Sequence, residues 1–154
     1  MVRLFALSVL AGALLFALAA SPAEATFLKQ VEITSATDGP FTVSESASGD
    51  LCLSGQTATT FNFVTRAEPN RVDLLVGKHL TCDDGSGTFD LVLAVRLTGR
   101  DNFMWMVTAG TGNYEDLQGS GTGAGYSTNG VFADHYSGRV GTGAWDFLPR
   151  TGMN

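Results

Sequence analysis

The chain carries few of the residue types on which most site chemistry depends. It holds two histidines, His79 and His135, and two cysteines, Cys52 and Cys82, in 154 residues. A zinc set of the usual histidine–cysteine kind is therefore not expected, above all if the cysteines are oxidised. Lysine and arginine together number 9 against 15 acidic residues, for a net charge of −6. No basic stripe offsets that balance, which argues against nucleic acid and anionic membrane surfaces as partners. No segment sustains a helical apolar stripe. The Gly-x-Ser-x-Gly elbow is missing, because Gly85-Ser86-Gly87 and Gly119-Ser120-Gly121 lack its intervals. No lysine follows Lys78, so the later glycines cannot form a phosphate loop, which needs a lysine and a following helix. Asp83-Asp84-Gly85 lacks the alternating oxygen ligands and closing glutamate of a calcium loop. No cofactor and no metal are expected.

The N-terminus is informative. Arg3 precedes an apolar run from Leu4 to Ala20, and Ala23-Glu24-Ala25 offers small residues at the positions a signal peptidase reads. Residues 1–25 read as a signal peptide cleaved before Thr26, which implies export by the general secretory route and no membrane anchor after cleavage. Residues 26–154 then form one domain, long enough for a core of its own. In an oxidising compartment Cys52 and Cys82 are expected to pair. The alternative, a reactive thiol at Cys82, is disfavoured by Asp83 and Asp84, which would raise its pKa.

Period-two alternation dominates the remaining sequence. Strands are expected at Phe27–Ile33, Phe41–Ser46, Thr57–Thr65 and Val72–Cys82. Others follow at Phe89–Thr98, Phe103–Ala109, Gln118–Tyr126 and Val131–Val140. Turns are expected at Asp38-Gly39-Pro40, Glu68-Pro69-Asn70, Asp83–Gly87, Gly99–Asn102 and Asn129-Gly130; the tail from Trp145 would add an edge or cross one end. Eight antiparallel strands suit a sandwich or a barrel. Glycine decides between them: 10 of the 19 glycines fall between Gly110 and Gly143, and Gly119, Gly121, Gly123 and Gly125 share one strand face. Glycine weakens a flat sheet but permits the sharp bends of a closed one. An antiparallel eight-stranded barrel is the expected fold.

The string Lys78-x-x-Thr81-Cys82-Asp83-Asp84-Gly85-Ser86-Gly87-Thr88-Phe89 leads on to Trp105-x-Val107-x-x-Gly110-Thr111-Gly112-x-Tyr114-x-x-Leu117-x-Gly119-x-Gly121 and Asp134-x-Tyr136-x-Gly138. Together these resemble a group of small secreted bacterial proteins without an assigned function. The piece from Gly110 to Gly121 is also similar to a segment of the allene oxide cyclase–dirigent barrel superfamily. That resemblance implies an eight-stranded antiparallel barrel with a cavity opening at one end. The superfamily includes cyclases, proteins that steer radical coupling and members with no assigned activity, so fold analogy does not choose among functions.

Candidate site residues follow from strand parity. Asp134 and Tyr136 share a face; pointing inward, they would give a cavity a carboxylate and a phenol able to act as acid and base. Glu45 is a further candidate cavity acid. Trp105, Tyr114, Phe61 and Phe63 are candidates to line a pocket for a small apolar molecule, or simply to fill a small core. Thr57, Thr59, Phe61 and Phe63 are expected on one face. Asp90 and Arg96 lie too far apart along their strand to pair and need partners on neighbouring strands. Three functions fit: a secreted barrel holding a small apolar ligand, a cyclase or isomerase acting on a small hydrophobic substrate, or an envelope or assembly protein. In the last, outer-face residues such as Val92 and Ala94 would pack against other subunits in a homo-oligomer.

Overall fold

A computed structural model of the chain describes residues 28–98, 101–128 and 131–143. The proposed signal peptide and the tail from Trp145 lie outside these residues. Eight strands run in sequence: β1 (Lys29–Ala36), β2 (Gly39–Ser48), β3 (Ser54–Glu68), β4 (Arg71–Cys82), β5 (Thr88–Leu97), β6 (Asp101–Gly110), β7 (Leu117–Thr128) and β8 (Val131–Thr142). Each pairs antiparallel with the next, and β8 pairs with β1, so the sheet closes into a ring. Among the described residues the one helical turn, a 3-10 turn over Gly112–Tyr114, sits in the β6–β7 connection. Asp101 and Asn102, expected in a turn, instead open β6 and pair with both β5 and β7; Gly99, Arg100 and the expected turn at Asn129-Gly130 lie outside the described residues.

Parity sets the interior. Val31, Ile33, Phe41, Val43, Leu80, Phe89, Leu91, Leu93, Phe103, Trp105, Tyr136 and Val140 are all buried. The alternation Phe89-Leu91-Leu93 against Asp90-Val92-Ala94 separates inside from outside as period-two sterics require. On the outside, Asp90 meets His79 of β4 at 2.5 Å, and Arg96 reaches Asp73 at 3.5 Å. Both charges thus find partners on a neighbouring strand.

The glycine row of β7 is covered by side chains rather than left open. Asp101, Phe103 and Trp105 of β6 register with Gly125, Gly123 and Gly121. A Cβ on Gly123 would overlap the Phe103 ring, and one on Gly121 would stand 2.8 Å from Trp105 Nε1. The indole N–H then donates to the Thr122 carbonyl at 3.1 Å. The bare strand therefore makes room for two large rings inside a narrow closed sheet, an arrangement a β-carbon would prevent.

One end of the ring is stoppered. The Cys52–Cys82 disulfide spans 5.9 Å between Cα atoms there. Beside it Tyr114 is buried; its hydroxyl accepts the Cys52 N–H at 2.9 Å and lies 2.9 Å from Ser86 Oγ. Phe89 packs edge-on between Tyr114 and Phe41.

The face assigned to Phe61 and Phe63 is corrected by a bulge. The register of β3 against β4 slips between Thr59 and Phe61, and one extra residue inverts the parity from Phe61 to Val64, where a second slip before Arg66 restores it. Thr57 and Thr59 oppose the inward Leu80 and Lys78, whereas Phe61 and Phe63 oppose the outward Gly77 and Leu75. The two phenyl rings stack on the outer surface with centroids 5.4 Å apart.

Candidate functional site

At the end of the ring away from the disulfide, the interior changes character. The inward row of β4 runs Leu74, Val76, Lys78, Leu80, Cys82, so a lysine occupies a core position. Lys78 is only 3% exposed. Its ammonium donates to the Thr37 carbonyl at 2.5 Å, in the β1–β2 turn, and to Thr59 Oγ1 at 2.9 Å. Asp38, in the same turn, accepts the Thr59 N–H at 2.5 Å, and that bond holds its carboxyl below the usual range. Burial lowers the Lys78 pKa, while Asp134 and Asp38 counter the shift.

Asp134 and Tyr136 both belong to the inward row of β8 and register with Ser35 and Ile33 of β1. Tyr136 is fully buried, edge-on to Phe103 at 4.9 Å and to Trp105 at 6.4 Å. Burial pushes its phenol well above the ordinary range, and the Asp134 charge adds to the shift. Asp134 is half-buried. Desolvation raises its carboxyl, the Lys78 charge opposes that, and Asp101 reinforces it. Asp134 Oδ1 and Asp101 Oδ2 lie 3.3 and 3.4 Å from the point a Cβ on Gly125 would occupy, so the two carboxylates flank that glycine.

Two more buried hydroxyls lie opposite other inward residues, Ser35 beside Asp134 on β8 and Thr57 beside Leu80 on β4. Ser35 Oγ and Thr57 Oγ1 are buried and have no hydrogen-bond partner. Ser35 is close enough to Tyr136 to oppose its pKa shift, yet it makes no bond of good geometry. A buried hydroxyl without a partner costs about 1–3 kcal/mol, so each is an atom at which a further polar group would be favourable.

The other candidates fall elsewhere. Glu45 is exposed on the second half of β2 and contributes nothing to the interior. Trp105 is locked in the core by its bond to Thr122, and Tyr114 belongs to the stoppered end. Phe63 is 61% exposed on the outer surface. Among the described residues no three histidine, cysteine, aspartate or glutamate side chains converge as a metal set. Two carboxylates fall well short of the six to eight oxygens calcium takes.

Sequence reasoning missed Lys78, Asp101, Ser35 and Thr57. Lys78 was legible, since it has the parity of Leu74, Val76 and Leu80. Asp101 was not, because only the β6–β7 and β7–β8 registers, meeting at Gly125, set it beside Asp134.

The Asp134 environment carries a pH signature. Its folded pKa lies above the unfolded value, so the folded state holds the proton more tightly. Stability from this group is complete below pH 4 and is lost as pH rises through the folded pKa. Asp134→Asn should remove that decline. Urea melts between pH 3 and 7 test it; a variant with the wild-type slope would contradict the assignment.

No protein-family model matches the chain, and no match is found among curated proteins or solved structures.

Proposed function

We propose that the chain is a secreted allene oxide cyclase–dirigent-like barrel that holds a small, largely apolar molecule with one polar group. The observation that carries this reading is the pair of unpartnered buried hydroxyls, Ser35 and Thr57, in an interior that also holds the buried Lys78. Lys78 makes two hydrogen bonds and has three donors, so one remains for a ligand oxygen. The half-buried Leu74 and Val95 beside Phe103 would meet the apolar part. Export rests on the charge and hydropathy of residues 1–25.

Native mass spectrometry of protein recovered from its own secretion medium tests the reading. The expected result is a species heavier than the disulfide-linked polypeptide, which collapses to the bare mass in Lys78→Met. Methionine suits the site in size, but it leaves the Thr37 carbonyl and Thr59 hydroxyl without their donor, so circular dichroism must first show a folded variant. A wild-type protein that always flies at its bare mass, with ordered water on Ser35 and Thr57, would sink the proposal.

A cyclase or isomerase is the second reading. It is favoured by Asp134 and Tyr136 standing in one inward row, both with raised pKa values. A carboxylate of raised basicity beside a phenol that stays protonated is a usable base and acid.

A further inference from the structure

The chain has only two lysines, Lys29 and Lys78, and their surroundings are opposite. Lys29 is exposed and paired with the carboxylate of Asp50. Lys78 stands between Val76 and Leu80 in the inward row of β4 and opposite Leu91 of β5, all of them buried. Its two hydrogen-bond acceptors, the Thr37 carbonyl at 2.5 Å and Thr59 Oγ1 at 2.9 Å, are both uncharged. Among the described residues no carboxylate forms an ion pair with it. The charged groups that face it act at longer range. They are Asp38 from the β1–β2 turn and Asp134 from β8, with Asp101 of β6 beside Asp134.

Two acceptors suit a free amine. Its two N–H bonds are satisfied by Thr37 and Thr59, and its lone pair takes the third position, where an ammonium has another N–H. A buried ammonium without a close counter-ion is costly, and burial draws this lysine toward its neutral form. The lone pair of a desolvated lysine is a nucleophile suited to carbonyl groups. Nor is the amine sealed from outside. Thr37 and Asp38 are exposed, and Thr59 and Asp134 are part-exposed, so Nζ lies directly beneath residues that meet solvent.

We propose that Lys78 captures a small, largely apolar aldehyde or ketone as an imine, with Asp134 as the proton carrier. The inference rests on the reading of the interior as a site for an apolar molecule with one polar group, and it names that group as a carbonyl. Asp134 registers with Ser35, close in β1 to the Thr37 carbonyl that holds Nζ, and Ser35 brings an unused hydroxyl. Lys78 and Asp134 share one acidic proton, and capture begins with that proton on Asp134. The Nζ lone pair attacks the carbonyl carbon, and the π electrons move to oxygen, which takes the proton from Asp134. Asp134 then takes a proton from nitrogen and passes it to the new hydroxyl. Water leaves, and the nitrogen lone pair closes the C=N bond. The product is an iminium cation facing the Asp134 carboxylate, so the net charge of the site is unchanged.

Reductive trapping with hexanal tests the proposal, and Lys29 is its internal control. With hexanal and sodium cyanoborohydride at pH 7, peptide mass should show Lys78 alkylated about tenfold faster than Lys29, because more of it is free amine. The Lys78 rate should also level off at a lower pH than the Lys29 rate. Asp134→Asn, shown folded by circular dichroism, should slow Lys78 about tenfold and leave Lys29 unchanged. Lys78 labelled no faster than Lys29, labelled only in urea, or labelled at the parent rate in Asp134→Asn would each overturn the proposal. Borohydride added to protein recovered from its secretion medium separates the imine from the reading beneath it. The resident molecule should then stay on Lys78 after denaturation. A molecule present on the native protein but lost on denaturation after borohydride would overturn the imine and keep the ligand. A bare native mass together with fast labelling of Lys78 by hexanal would keep the capture site and remove only the resident molecule.

Discussion

Gly121→Val is expected to leave little folded protein at room temperature. A β-carbon at this position would overlap the Ser137 carbonyl oxygen and stand 2.7 Å from Gly138 Cα. It would also press on the Trp105 indole from below. Two of these neighbours are backbone atoms of β8, which pairs with β7 at every residue from Leu117 to Thr128. They cannot move aside without breaking the ladder that closes the ring. Overpacking a yielding core costs about 1–3 kcal/mol; with backbone as the obstacle the loss should exceed about 3 kcal/mol, a large share of the 5–15 kcal/mol of a typical domain. Gly85→Ala supplies the contrast. Nothing lies within 4 Å of a Cβ there, and only its φ of +73° opposes substitution, worth about 1–2 kcal/mol. Urea melts of the two variants should therefore separate clearly. A Gly121→Val midpoint near that of the parent would mean that the bare row is not needed to seat the rings.

Removing the disulfide should have the other large effect. Cys52→Ala/Cys82→Ala opens a link with a sequence separation of 30 at the stoppered end. In the chain-entropy model such a link contributes about 3–4 kcal/mol by restricting the unfolded chain. Both cysteines are buried beside Leu51 and Tyr114, so the lost sulfur contacts add to the cost. The parent protein under strong reductant should show most of the same fall in urea midpoint, short of the double variant by what the retained sulfur contacts contribute. If reductant leaves the parent's midpoint unchanged, the link contributes nothing and the aromatic stopper alone holds that end.

Much of the fold was legible because strands advertise themselves locally. The row Phe89-Leu91-Leu93 needs one buried face, and the Asp83–Gly87 segment needs a reversal, whatever surrounds them. Tyr136 and Asp134 were assigned a common face by the same parity, and they share the inward row. Parity failed at Phe61 and Phe63, since a bulge at Thr60 leaves no mark in residue type: Thr57-x-Thr59-x-Phe61-x-Phe63 reads as unbroken alternation. Glu45 failed for another reason. It follows Val43 on the inward parity, but β2 pairs with β1 at Val43 and next at Ser48, opposite Ile33 and Val31, so the residues between bulge out of register and parity no longer sets the face of Glu45.

The candidate site was half legible. An inward lysine among Leu74, Val76 and Leu80 is a parity argument, available without coordinates. Its partners are not. Thr37, Thr59 and Asp134 lie 41, 19 and 56 positions from Lys78 in the chain, and register alone brings them together.

By itself, then, the amino-acid sequence determined an all-β domain, its two-cysteine link and a glycine-rich strand suited to tight curvature. Those features depend on side-chain size and on neighbours one or two residues away. Tertiary structure decided the rest: that β8 closes on β1, that the glycine row is roofed by Asp101, Phe103 and Trp105, and that charge gathers at one end. These depend on which residues meet across strands. A single inserted residue such as Thr60 resets that pairing without altering the local pattern on either side.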